Sequence, residues 1–279
     1  SATTSALNIN PGISGAWFNP STSGQGQLID VEPDGNFMFL SWFTFTDNNS
    51  NHPFEQRWFT AQGNYEGNTA NMGLYETVGG KFDSPQEVTT TLVGAVELTF
   101  IDCNRGQLKF SIESEELQGR SPLVRVIPGS GGVCENFTTN STQAVDVNHG
   151  MDGAWFDKNT SGQGFFIDAN PDLTDEGFIF VSWFTFGDDT ASGQRWLTAQ
   201  GPFVGSRADI GVFETTGGSL NEQEPTETRE VGAMSIDFTD CNNALLTYSL
   251  TDEGRQGSIQ IQRAIPGGSV IAKSKPGNK

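Results

Sequence analysis

The chain repeats itself. Gly15-Ala16-Trp17-Phe18 returns 138 residues later as Gly153-Ala154-Trp155-Phe156, and Ser23-Gly24-Gln25-Gly26 returns at the same offset as Ser161-Gly162-Gln163-Gly164. Ser41-Trp42-Phe43-Thr44-Phe45 reappears as Ser182-Trp183-Phe184-Thr185-Phe186 at an offset of 141, and Gln56-Arg57-Trp58 as Gln194-Arg195-Trp196 back at 138. Three residues are therefore gained within 170–177 and lost within 187–193. Length changes of this kind fall in surface turns, so the flanking segments are the regular structure. A repeat of this length over 279 residues makes the chain two copies of one unit of ordinary domain size. The expected organisation is a first repeat over 1–130, a linker rich in Gly, Ser, Thr and Asn over 131–150, a second repeat over 151–268, and a basic, loosely held tail over 269–279.

Neither copy carries a sustained helical period. In the first, apolar or alternating runs at 15–18, 25–31, 36–46, 56–62, 71–77, 88–101, 107–112 and 122–127 are separated by Gly, Pro, Asn or Asp turns. About eight short-connected strands make an antiparallel meander, and closure into a barrel removes the edges that invite aggregation. The fold class read from the sequence is all-β: two tandem antiparallel meander β-barrels of about eight strands each.

The third run constrains more than its neighbours. Phe37, Phe39, Ser41, Phe43 and Phe45 share one face, Met38, Leu40 and Trp42 the other, and the second copy repeats this with Phe178, Phe180, Ser182, Phe184 and Phe186 against Ile179, Val181 and Trp183. A strand of a lone solvated barrel alternates apolar with polar. At roughly 1.5–3 kcal/mol per large buried side chain, neither stripe is left wet. The outer face of this strand is expected to be covered, by the sister barrel or by a second subunit through Phe37, Phe39, Phe43, Phe45 and Phe178, Phe180, Phe184, Phe186.

The Gly-x-Trp openings, Gly15-Ala16-Trp17 and Gly153-Ala154-Trp155, with a lone Arg on the last apolar strand, Arg125 and Arg263, resemble the signature of the calycin superfamily of lipocalins and avidins. The resemblance implies that each Arg packs across its Trp at the closed end of an eight-stranded barrel, a stacked cation–π pair. The fuller pattern resembles tandem repeats of secreted bacterial proteins of unassigned function. It covers nearly all of both copies.

Cysteine usage indicates the compartment. Cys103 and Cys241 occupy equivalent turns, whereas Cys134 has no counterpart, and no Cys-x-x-Cys occurs. In a meander the turn before strand seven lies at the same end as the exit of strand eight, which favours Cys103–Cys134; Cys134–Cys241 is the alternative. Either disulfide implies an extracellular or periplasmic, secreted protein.

Charge and composition remove several functions. Lys and Arg number 15 against 34 Asp and Glu, a net charge of −19 that repels nucleic acid and anionic membranes. No apolar run approaches the roughly 20 residues of a spanning helix. The only histidines, His52 and His149, are not shared by the copies, which excludes a repeated catalytic triad or His-based metal site. No cofactor or metal is assigned. The oxygen-rich loops 46–51 and 187–190 suit Ca²⁺ but match no EF-hand spacing, and they read equally as solvated turns.

The remaining candidates are aromatic and carboxylate side chains. Trp42, Trp58, Gln62 and Glu76, with Trp183, Trp196, Gln200 and Glu214 in the second copy, are expected to line barrel mouths as an aromatic floor with a few polar groups. Core filling is the rival role of the indoles. Glu76 shares a face with Met72 and Leu74 and needs a cation, Arg57 or Arg125. The leading function is a non-enzymatic secreted binding or adhesion module for a small amphipathic ligand or a glycan. The alternatives are a structural subunit of a homo-oligomer or filament with filled barrels, and a carboxylate-based glycan hydrolase.

Overall fold

The computed structural model describes residues 7–32, 34–127, 134, 146–160, 162–187 and 192–265. Ser161, most of the expected linker, loop residues 188–190 and the tail over 269–279 lie outside the described residues.

Each repeat closes into an antiparallel eight-stranded barrel. The first comprises β1 (Gly15–Phe18), β2 (Gly26–Glu32), β3 (Phe37–Phe45), β4 (Gln56–Glu66), β5 (Thr69–Val78), β6 (Thr89–Asp102), β7 (Arg105–Ile112) and β8 (Leu117–Arg125), and β8 pairs back onto β1. The second comprises β9 (Gly153–Phe156), β10 (Gly164–Asn170), β11 (Phe178–Phe186), β12 (Gln194–Val204), β13 (Arg207–Thr216), β14 (Glu227–Asp240), β15 (Asn243–Leu250) and β16 (Arg255–Arg263), closed by β16 against β9. Both carry a register shift at the same place, between Leu74 and Tyr75 and between Val212 and Phe213.

One end of each barrel is shut by a 3₁₀ turn just before the first strand. Pro11–Ile13 is capped by Asn10, whose side chain accepts from the Gly12 N–H at 2.9 Å, and His149–Met151 by Asn148, which accepts from Gly150 at 2.8 Å. Ile13 and Met151 are fully buried beneath the turns. The opposite end, where β3 passes to β4 and β5 to β6, is the mouth.

A third core lies between the barrels. It contains Phe43, Phe45, Trp58, Phe184, Phe186 and Trp196, with Phe39 and Phe180 packed against its edge. The sister barrel covers Phe43, Phe45, Phe184 and Phe186, with Phe39 and Phe180 at the edge of the contact, whereas Phe37 and Phe178 lie half-buried outside it. Ring centroids stand 4.9 Å apart for Phe43 and Trp196, 5.5 Å for Phe45 and Trp196, and 5.7 Å for Trp58 and Phe186.

Candidate functional site

At the closed ends the Arg/Trp pairs are formed. The Arg125 guanidinium lies 4.7 Å from the Trp17 ring, its Nε donates to the Cys103 carbonyl at 2.6 Å and its Nη1 to that of Ser14 at 3.1 Å. The Trp17 indole donates to Ile13 O at 3.1 Å. Arg263 stands 5.8 Å from Trp155, whose indole donates to Met151 O at 2.9 Å. Cys103 and Cys134 are disulfide-bonded at the same end of the first barrel, while Cys241, the counterpart of Cys103 in the second repeat's turn, is buried outside that bond.

The repeated motifs meet across the barrel–barrel contact. Gln56 donates to the carbonyls of Trp196 and Thr215 (3.0 and 2.9 Å), and Gln194 to those of Trp58 and Thr77 (2.7 and 3.1 Å). The indoles of Trp58 and Trp196 donate to Thr185 O and Thr44 O, each at 3.0 Å. Asp168 accepts from the Ala16 N–H at 2.8 Å and Asp30 from that of Ala154 at 2.9 Å. This explains the first glycine of Gly-x-Trp. Gly15 and Gly153 have φ of +124° and +126°, and a Cβ on Gly153 would stand 2.3 Å from the Asp30 carboxylate.

Burial raises the affinity of both bridging carboxylates, Asp30 and Asp168, for protons. Beside Asp168 lies a buried pair, His149 Nδ1 to Asp152 Oδ2 at 3.3 Å. Burial pushes Asp152 up to about 6. Burial opposes charge on His149, but the Asp152 and Asp168 carboxylates outweigh it and raise the imidazole above its usual value.

The mouths are capped reciprocally. The β5–β6 loop of the first barrel inserts Phe82 into the core of the second, and the β13–β14 loop inserts Leu220 into that of the first. Phe82 sits 4.9 Å from Trp183 and 5.8 Å from Tyr248, with Arg255 5.0 Å from its ring. The Gln of each Ser-Gly-Gln-Gly holds the incoming loop: Gln163 donates to Lys81 O at 2.9 Å, and Gln25 to Ser219 O at 2.5 Å. The glycine pairs allow the approach, since a Cβ on Gly80 or Gly218 would stand 2.0 or 2.2 Å from the Phe186 or Phe45 ring.

The expected site residues divide between the two faces of the sheet. Trp42 pairs with Phe59, so both point into the barrel, while Trp58 pairs with Phe43 and points into the inter-barrel core. Trp183 and Trp196 divide the same way. Gln62 and Gln200 lie exposed on the outer face. Glu76 does point into the mouth, where Arg57 Nε donates to it at 2.9 Å and Arg57 Nη2 to Glu115 at 2.5 Å. Glu214 is held likewise by Arg195 and Arg229, each at 2.8 Å. Beside the first mouth is an open cleft of about 750 Å³, bordered by Arg57, Glu76, Glu115, the 46–55 loop, and Asn221 and Glu222 of the second repeat. Asn48 donates to Glu222 at 2.6 Å across it.

Residues outside the expected set were Phe82, Leu220, Gln25, Gln163 and Glu115. The first four lie in repeated segments whose partners belong to the other copy, and spacing within one copy carries no signal for them. Among the described residues no three or more His, Cys, Asp or Glu side chains are grouped so that they could hold a metal ion, and no helix is long and apolar enough to cross a membrane. No protein-family model matches this chain, and no curated protein sequence matches it either.

Proposed function

We propose that the chain is a non-enzymatic extracellular binding module in which the first barrel and its loop cleft receive the ligand and the second barrel is a structural partner. The carrying observation is the inequality of the two mouths. Phe82 packs into the second between Trp183 and Tyr248, beside a cleft of about 240 Å³, whereas the first is capped by the smaller Leu220 and borders the cleft of about 750 Å³. The cleft rim presents carboxylates and carboxamides, Asp47, Glu55, Asn49 and Asn51 among them, which suit the hydroxyl groups of a glycan or the polar end of an amphipathic molecule. Glu76 and Glu214 accept from guanidinium groups and serve to hold the mouths together, which speaks for binding over hydrolysis. The Cys103–Cys134 bond accords with an oxidising compartment.

The test is calorimetric titration with neutral oligosaccharides and small amphiphiles, comparing the native chain with Glu115→Gln and with Asn51→Ala. Saturable binding weakened by either change supports the reading. No saturable binding of any probe up to millimolar concentration overturns it. The filled second barrel favours a second reading, a structural subunit, for which light scattering would find ordered assemblies.

A further inference from the structure

The interiors of the two barrels differ at one cross-strand pair. Gln27 on β2 stands opposite Trp42 on β3, on the inward face with Trp17. The corresponding pair in the second barrel is Phe165 and Trp183, two rings 5.1 Å apart. Gln27 and Trp42 are 3% and 2% exposed, and Gln27 Oε1 and Trp42 Nε1 are each buried without a hydrogen-bond partner. Unpartnered buried polar atoms are rare in folded proteins and call for an explanation, such as a bound group or water. Here one is an acceptor and the other a donor, on side chains directly opposite across adjacent strands, where such chains stand about 5 Å apart. One hydroxyl group has both capacities that this pair lacks, a donor for the first and an acceptor for the second.

The surroundings suit an apolar remainder. Trp42 packs against Phe59 at 5.6 Å and Phe110 at 4.9 Å, with Phe110 where the second barrel has Tyr248. Above Phe59, at 4.4 Å from its ring, lies the Arg57 guanidinium, which borders the open cleft. The order from solvent inward is thus cleft, Arg57, Phe59, Trp42.

We propose that the first barrel takes a small apolar alcohol or phenol, its hydroxyl held between Gln27 Oε1 and Trp42 Nε1, and that the second barrel does not. The assignment rests on the binding-module reading above and adds the ligand's chemical class and anchoring atoms. A permanently buried water would satisfy the same two atoms, so the experiment must separate the two.

The probe is the indole N–H spectrum of ¹⁵N-tryptophan-labelled full chain, titrated with 1-butanol, 1-hexanol and phenol, and with toluene as a ligand lacking the hydroxyl. The Trp42 signal, assigned with Trp42→Phe, moves saturably with the alcohols and phenol, and Trp183 does not. Gln27→Leu weakens binding by up to about tenfold, the loss expected for one hydrogen bond, and Gln27→Phe abolishes it. A retained Trp196 signal, whose indole stacks on Phe43 and Phe45 and donates to Thr44 O of the first barrel, certifies that these variants are folded. A Trp42 signal unmoved by every alcohol, or moved equally by toluene, overturns the proposal and leaves an internal water or a simple apolar hole. If oligosaccharides still bind the cleft at native affinity, the binding-module reading stands and only the hydroxyl site falls. If neither class binds, both fall.

Discussion

At the mouth of the second barrel an aromatic ring from the sister repeat fills the space between Trp183 and Tyr248, beneath Arg255. At the mouth of the first, the equivalent loop brings only Leu220, and Gln27 stands where the second barrel has Phe165. The closed ends differ as well: a disulfide fastens the first barrel, and a buried His149–Asp152 pair lies under the second, where the first has Pro11 and Ser14. Duplication preserved the residues that join the barrels and let their interiors diverge. The contact between the barrels is thus kept in duplicate while the two interiors are packed differently.

The largest effect that sharpens this comparison concerns the caps. Phe82→Ala is expected to cost about 3–5 kcal/mol in a denaturant titration, and Leu220→Ala, within the about 2–5 kcal/mol of buried leucines, less than Phe82→Ala. Equal losses would erase the distinction between the mouths. Next comes the closed end. Reducing Cys103–Cys134, which closes a 31-residue separation, is expected to lower stability by about 2–4 kcal/mol. Hydrogen exchange is expected to accelerate in β7 and β8 before β15 and β16, and uniform acceleration would show that the bond serves both barrels.

The smallest effect is a pH dependence. His149 and Asp152 both bind protons more tightly folded than unfolded, so their contribution is complete below the unfolded values and is lost as pH rises through the folded ones. For Asp152 that window runs up to about 6, and for His149 it extends above the ordinary imidazole value. Asp168, Asp172 and Arg125 complete the charge surrounding the pair. The melting temperature is therefore expected to fall between about pH 6 and 8.5, and His149→Gln to flatten the upper part of that slope. A native chain whose melting temperature rises over this range would contradict the sign.

Much of the architecture was legible in the residues. The doubled motifs gave the two units, the turn-separated runs gave the strands, and the stripe Phe37, Phe39, Phe43 and Phe45 required a covered outer face. The meander's end-to-end logic gave Cys103–Cys134. The site was legible only in part, because cross-strand register decides which residues share a face. Trp42 and Trp58 lie on adjacent strands, but Trp42 pairs with Phe59, which sends the two indoles to opposite sides. The glycines of Ser-Gly-Gln-Gly do make close approaches, a Cβ on Gly24 or Gly162 standing 2.9 Å from side chains of the other repeat. Its glutamine, for which spacing carries no signal, grips a loop more than 80 positions away in the other repeat, in both directions. The substitution of Gln27 by Phe165 was visible from the offset, but its meaning depends on the pairing with Trp42.

The exchange of caps also bears on synthesis. When the first repeat has left the ribosome, Phe43, Phe45 and Trp58 have nothing to lie against and Leu220 has yet to be made. At about 5–20 residues per second, the second repeat follows roughly 7–30 s later. For that interval the nascent chain carries a sticky half-finished surface, a natural client for holding chaperones, and a chain truncated between the repeats has no route to a sealed product.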